Sequence, residues 1–277
     1  MFEISLIFDW QRLALGLAIA TILAAAAWRL RLLAPSGALA AVLLGGLTFG
    51  LGGLPAAIVL VVFFASSSAL TRLFSRRKKA LAKTFSKGGQ RDWVQVLANG
   101  GPALLALALG AADWLPQGIA WPAFAAALAG ATADTWATEV GVLSRGQPQL
   151  ITTGQRVAKG TSGGVSLVGS LAAAAGALLI ALVAGVVGAG FMHPSFLLSV
   201  LLAGVLGSYF DSLIGATVQA IYYCPDCKKE TEQHPLHSCG APTTLRRGWA
   251  WMSNDWVNFL SGLFSILVLL AAAAVWL

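Results

Sequence analysis

The chain has 277 residues, 57% of them hydrophobic and only 10% charged, with a formal net charge of +7. Soluble domains carry about 25% charged residues, so this composition excludes an ordinary soluble enzyme and describes a polytopic membrane protein. The cations sit in stretches between apolar runs, where the positive-inside effect accounts for them without nucleic acid as a partner.

Apolar runs long enough to cross a hydrocarbon core of about 30 Å predict about eight membrane helices. In chain order they fall at 11–28, 36–53, 55–71, 93–112, 119–138, 164–190, 195–222 and 256–277. No Lys or Arg precedes Arg12 and no small-residue cleavage site is evident, so the first run is expected to stay as a helix. Pro55, just after Gly52 and Gly53, makes the second and third runs a tight hairpin. The fold class is therefore all-α: a single transmembrane domain over 1–277, with a small loop at 223–248 inserted between the seventh and eighth helices.

The loops fix an expected orientation. Arg29 and Arg31 follow the first helix. The third loop carries Arg72, Arg76, Arg77, Lys78, Lys79, Lys83, Lys87 and Arg91. The fifth has Arg145, Arg156 and Lys159, and the seventh has Lys228, Lys229, Arg246 and Arg247. The even-numbered loops have no cation. This alternation predicts a multi-pass protein of the cell membrane with both termini outside and the odd-numbered loops in the cytoplasm. The run at 76–79 reads as a solvated anchor rather than a substrate site.

Two aspartates lie deep in these apolar runs in matching settings, Gly130-Ala-Thr-Ala-Asp134-Thr135 and Gly207-Ser-Tyr-Phe-Asp211-Ser212. A charge in hydrocarbon costs at least about 2.5 kcal/mol, which marks both as functional-site candidates. With the fifth and seventh helices running the same way, the two lie at one depth, about 22–24 Å from the outer surface at 1.5 Å per residue. Helices entering from the cytoplasm bring polar groups to the same level: Arg91, Gln95 and Asn99 on the fourth; Ser162, Ser166 and Ser170 at the sixth; Asn254, Asp255 and Asn258 on the eighth. On the seventh helix Gly204, Gly207, Asp211 and Gly215 share a face that admits close packing.

Two Gly-rich segments have the ingredients of a phosphate site. Lys87, Gly88, Gly89, Arg91 and Asp92 precede the fourth helix. Lys159, Gly160, Thr161, Ser162, Gly163, Gly164 and Ser166 precede the sixth, with Arg156 just upstream. Glycines let backbone N–H groups approach an anion, and a helix N-terminus favours negative charge. Asp134, Asp211 and Asp255 are candidate carboxylates for catalysis, and Asp134 and Asp211 for Mg²⁺, which takes one or two carboxylates plus phosphate oxygens. Glu139 stands about 140° round the helix from Asp134, so the two share a ligand only if the helix breaks near Gly141.

A second candidate site lies in the seventh loop, where Cys224-Pro-Asp-Cys227 is followed by His234, His237 and Cys239. Thiols in the cytoplasm stay reduced, and Cys224, Cys227, His237 and Cys239 make a closed four-ligand zinc set of structural type. His237 is the expected imidazole ligand; His193, in an outer loop, has no role in this reading.

The segments Phe85-Ser-Lys-Gly-Gly-Gln-Arg-Asp92, Gln95-Val-Leu-Ala-Asn99, Ala133-Asp-Thr-Trp-Ala-Thr-Glu139-Val-Gly141, Lys159-Gly-Thr-Ser-Gly-Gly-Val-Ser166 and Ser253-Asn-Asp-Trp-Val-Asn258 together resemble the integral membrane family known as domain of unknown function ninety-two. That family includes the plant phytyl-phosphate kinase, and the Cys/His loop is similar to an insertion of its bacterial members. The resemblance implies a kinase that converts an isoprenyl or similar lipid monophosphate to its diphosphate, with CTP as the favoured donor. Asp134-x6-Gly141 followed by Lys159-Gly is also similar to the nucleotide-handling pattern of CTP-dependent polyprenol kinases, although Gly-Gly-Val-Ser departs from their acidic-Gly ending. The alternative is a transporter or flippase for an anionic lipid or small solute, since carriers too use intramembrane carboxylates and Gly-broken helices.

Overall fold

The computed structural model describes residues 9–78, 90–188 and 190–276. Among them, seven helices account for most of the chain: α1 Trp10–Arg29, α2 Pro35–Lys78, α3 Trp93–Ala111, α4 Gln117–Gly141, α5 Leu167–Val187, α6 Pro194–Thr217 and α7 Asn254–Trp276. Six of them contain stretches long and apolar enough to cross a membrane. Outward-facing Leu15, Ile22, Leu39, Leu43, Leu171, Val186, Leu202 and Leu267 are exposed, an apolar surface that lipid rather than water can cover.

The apolar part of α2, Pro35–Phe74, has 40 residues. A straight helix of that length would be about 60 Å long, twice a hydrocarbon core. It reverses at Gly53 instead, whose φ of 63° and ψ of −159° only glycine adopts without strain. Pro55 then restarts the helix, its missing N–H costing nothing in a first turn. The fold-back brings Phe64 onto the buried cluster of Ala24, Ala27 and Leu33, on which Ala38 and Ala41 of the incoming arm also pack. The expected hairpin between the second and third apolar runs is thus present, and its outgoing arm continues past the expected end at residue 71.

Local signals mark four of the other starts. Asp9 accepts from the Gln11 backbone N at 2.7 Å. Asp92 and Gln95 form a reciprocal capping box at α3. Ser166 accepts from Gly169 N at 3.1 Å to open α5, and Pro194 occupies the first turn of α6.

Helix α4 is the centre of the bundle and packs on α2, α3, α5, α6 and α7. Trp121, Phe124, Leu128, Ala129 and Ala133 on it are fully buried. Its alanine-rich sequence follows from that position, since a helix surrounded by five others needs small residues on every side. Gly204 of α6 lies where a Cβ would come within 2.8 Å of Ala129 and Ala177, and a Cβ on Gly207 would overlap Ser265 of α7. The small-residue face expected on this helix is therefore its packing face, and it sets Asp211 beside α4.

The fold is not all helix. Strands β1 Gln149–Leu150 and β2 Gly164–Val165 pair antiparallel between α4 and α5. Between α6 and α7 the chain forms a three-stranded antiparallel sheet of β3 Ile221–Cys224, β4 Lys229–Thr231 and β5 Thr244–Arg247, in the order β4-β3-β5. The seventh apolar run, expected to continue to residue 222, stops at Thr217. Ile221 and Tyr222 are strand formers, and they are used in β3.

Candidate functional site

All the polar segments singled out from the sequence that are described gather at one end of the bundle. A cavity of 560 Å³ opens there, lined by the C-terminal ends of α2, α4 and α6, the N-terminal ends of α3, α5 and α7, and residues from the 148–166 and 232–233 segments. This volume falls in the range of about 300–1,000 Å³ usual for small-molecule sites. The arrangement has an electrostatic consequence. Three helix N-termini point their positive dipole ends at the cavity, with Asp92 and Ser166 already capping α3 and α5, while the ends carrying Asp134, Glu139 and Asp211 offer acceptors to a cation.

Arg91 is fixed by its backbone, which pairs with Leu32 and Ala34 at 3.0 Å on both sides. Its guanidinium lies 5.6 Å from the ring centroids of both Phe63 and Phe64, within cation–π range. Burial pulls its pKa down to about 10, opposed by the charge of Glu139, so it stays cationic at neutral pH. Glu139 is buried and accepts from Thr71 Oγ1 at 2.8 Å. Helix α4 continues unbroken through this region to Gly141. Glu139 therefore turns toward α2 and Arg91, while Asp134 lines another part of the same cavity.

Asp134 and Asp211 both line the cavity and lie within electrostatic reach of each other. Ser261 Oγ of α7 is 3.3 Å from Asp211 Oδ2 and 2.8 Å from Val257 O. Nearby, the Tyr209 hydroxyl donates to Ser170 Oγ at 2.7 Å. Gln95, Asn99, Asn254 and Asn258 complete this side. Asn99 Nδ2 donates to Gln95 O at 2.9 Å, and Gln95 Oε1 accepts from Asp92 N at 3.1 Å, so part of the hydrogen-bonding capacity of Gln95 serves the cap.

The 159–166 segment forms part of the wall, with Gly160, Thr161, Ser162, Gly163, Gly164 and Ser166 all lining the cavity. Gly163 has a φ of +85° and packs directly on Ala216 of α6. Lys159, expected to face a phosphate, lines the cavity, and its ammonium donates to the carbonyls of Val142 and Ser144 just past α4. Those end carbonyls lack helical partners, and a cation satisfies them. Lys159 thus ties the Gly-rich loop to α4.

Three expected residues do not line the cavity. Arg156 is exposed, its backbone bridged to Gln149. Asp92 serves as the α3 cap. Asp255 is buried in the first turn of α7. Asn254 and Asn258, spaced i and i+4, share the cavity face, and Asp255 stands about 100° from the first and about 60° from the second. Lys87, Gly88 and Gly89 lie outside the described residues.

Thr71, Tyr209, Glu232 and Gln233 are among the lining residues that went unforeseen. Thr71 and Tyr209 could have been found by counting the helix depths used for the aspartates. Glu232 and Gln233 carry no such signal, because only the folding of the Cys/His hairpin brings them there.

That hairpin places Cys224, Cys227, His237 and Cys239 with one ligand atom each, all within 4.8 Å of one another, a set that can hold a metal ion. Cys224 Sγ to Cys239 Sγ is 3.6 Å, Cys227 Sγ to His237 Nδ1 is 3.5 Å, and His237 Nδ1 to Cys239 Sγ is 3.1 Å. A disulfide needs about 2.05 Å. The edges of a tetrahedron with Zn–S near 2.3 Å and Zn–N near 2.05 Å are about 3.5–3.8 Å, and the two longer separations match them. Cys227 N also points at Cys224 Sγ, 3.5 Å away. The His237 hydrogen bond draws the Cys239 thiol down to about 6, while the hydrogen bond to Cys239 pushes the Cys227 thiol up to about 11, so an ion bound here would displace the Cys227 proton. His234 is elsewhere, stacked on Tyr222 at 4.3 Å, so the imidazole of this set is that of His237.

The fold and cavity define a multi-pass integral membrane protein with a polar site at one end of its helix bundle. Residues 18–266 match the family described as Integral membrane protein DUF92, and the chain belongs to it. It is 34% identical over 272 residues to Protein PGR of Arabidopsis thaliana, covering 90% of this chain and 92% of that one. It is 32% identical over 207 residues to an uncharacterized membrane protein of Methanocaldococcus jannaschii, covering 74% and 82%. An uncharacterized membrane protein of Synechocystis is 32% identical over 220 residues, covering 78% and 83%. No solved structure matches the chain.

Proposed function

We propose that this protein is a lipid-monophosphate kinase of the cell membrane, transferring a nucleotide γ-phosphoryl group to an isoprenyl or similar lipid phosphate. The observation that carries the reading is the cavity itself. It gathers Asp134, Asp211, Arg91 and the Gly-rich segment that precedes α5 around one space. A lipid phosphate held at the aspartate layer keeps its tail among the helices. The donor, CTP by family resemblance, enters from the side of the basic loops, which this reading places in the cytoplasm with both termini outside.

Each part of the cavity has a task. The Gly-rich loop at 160–164, whose Thr161 and Gly164 N–H groups close its own turns, seats the donor phosphates at the start of α5, Lys159 holds that loop on α4, and Arg91 offsets developing negative charge. An oxygen of the lipid phosphate attacks the γ-phosphorus, and the bond to the β–γ bridging oxygen breaks to release the nucleoside diphosphate. The nucleophile is already an anion, so the site needs no strong general base, and positioning with charge stabilisation carries the rate. Asp134 and Asp211 are the residues suited to hold Mg²⁺, which supplies charge neutralisation for the phosphates when bound. Zinc is the metal that best suits the Cys3His set, as a structural ion.

The test is proteoliposomes containing the purified chain, given γ-labelled CTP or ATP with phytyl, geranylgeranyl or farnesyl monophosphate. The reading expects label in a lipid diphosphate, dependent on Mg²⁺. Nucleotide-independent movement of the lipid phosphate or a solute across the membrane, without labelled product, would establish a carrier instead.

A further inference from the structure

The Cys/His hairpin is joined to the cavity by a continuous set of contacts. Ser162 Oγ in the Gly-rich loop donates to Gln219 Oε1 at 2.5 Å. Gln219, 1% exposed, donates from Nε2 to Glu232 Oε1 at 2.9 Å. Glu232 directly follows β4, whose Lys229 pairs with the metal-set residue Cys224. On its other side, Gln233 Oε1 accepts from Ser238 N at 2.7 Å, between His237 and Cys239. The Glu232–Gln233 segment is therefore held from both halves of the four-ligand cluster while it lines the cavity. A second contact runs in parallel: Arg247 of β5 donates to the carbonyls of Gly215 and Ala216 at 2.9 and 3.1 Å, and to Ser162 O at 3.5 Å.

We infer that the hairpin is a metal-set wall of the cavity, in which Glu232 and Gln219 are positioning residues that fix the Gly-rich loop. With the ligand cluster closed on its ion, β4 and the His237–Cys239 turn hold Glu232 at one place. Gln219 then orients Ser162, and the N–H groups beside Ser162 keep their direction. Without the ion, the two halves of the cluster part, Glu232 loses its fixed position, and the strut to Ser162 goes slack. The idea rests on the cavity being the working site, but it makes a claim about coupling that needs no turnover.

Hydrogen–deuterium exchange of the full chain in lipid nanodiscs tests it, with zinc loaded or removed by a chelator and no nucleotide or lipid phosphate added. Removing zinc should speed exchange at 159–166 about fivefold, the value of one typical hydrogen bond, besides its effect within 221–247. Glu232→Ala should give the same acceleration at 159–166 with zinc retained and β3–β5 still protected. Glu232→Gln keeps an acceptor for Gln219 Nε2 and should restore the wild-type rate. Unchanged exchange at 159–166 after zinc removal, or in Glu232→Ala, overturns the inference. If chelation unfolds the whole chain, the two Glu232 variants decide it alone. A failed kinase assay would leave these results standing, so the two readings fail separately.

Discussion

Gly163 offers a sharp test of how tightly the cavity wall is built, because a matched control lies nine residues away. Gly163 has a φ of +85°, and a Cβ there would lie 2.7 Å from both Cα and N of Ala216. Gly154 has a φ of +68° with nothing within 4 Å of its Cβ position. Alanine at Gly154 should therefore incur only the left-handed backbone cost, about 1–2 kcal/mol. Alanine at Gly163 incurs that plus an overpacking cost of about 1–3 kcal/mol, since the obstruction is backbone and cannot rotate away. Thermal unfolding of the two variants in the same detergent should place Gly163→Ala lower by several degrees, at about 2–4 °C per kcal/mol. Gly163→Ala should also lose nucleotide affinity, whereas Gly154→Ala should keep it. Equal melting temperatures for the two would refute the packing of the 159–166 loop on α6.

Other consequences are open to measurement. Arg91→Met should destabilise the chain by about 2–4 kcal/mol, through lost cation–π contacts and one fewer opposing charge for buried Glu139. Combined with Glu139→Gln the losses should be less than additive by about 1–2 kcal/mol, and strict additivity in denaturant unfolding would contradict their pairing. His237→Ala should abolish stoichiometric zinc by elemental analysis while His234→Ala retains it; the reverse pattern would show that the ligand is misassigned.

Much of the fold was legible because membrane helices obey a simple length and polarity rule. The Gly53 reversal, the Gly204 and Gly207 packing face and the meeting of Asp134 and Asp211 in one cavity all follow from position and phase along apolar runs. The Cys and His spacing carried the ligand cluster for a similar reason, since a short hairpin leaves few ways to bring such residues together. What failed to show were relationships between segments distant in sequence. Lys159 lines the cavity, but its bonds to the carbonyls just past α4 show only once its loop is folded there. Asp255 reads as a site carboxylate until the helix phase shows Asn254 and Asn258 on the cavity face. Glu232 reads as an ordinary loop charge, and only the pairing of β4 with β3 carries it into the cavity.

The central claim is that Asp134 and Asp211 form the floor of a phosphoryl-transfer site. Single-turnover transfer from γ-labelled nucleotide to prenyl monophosphate, comparing the wild type with Asp134→Asn and Asp211→Asn, tests it most directly. Each variant should fold, retain zinc and lose about 10²–10³-fold in transfer rate, as expected for removing one charge-stabilising group. Wild-type transfer rates in both variants, or no labelled diphosphate from the wild type with any prenyl acceptor, would contradict it.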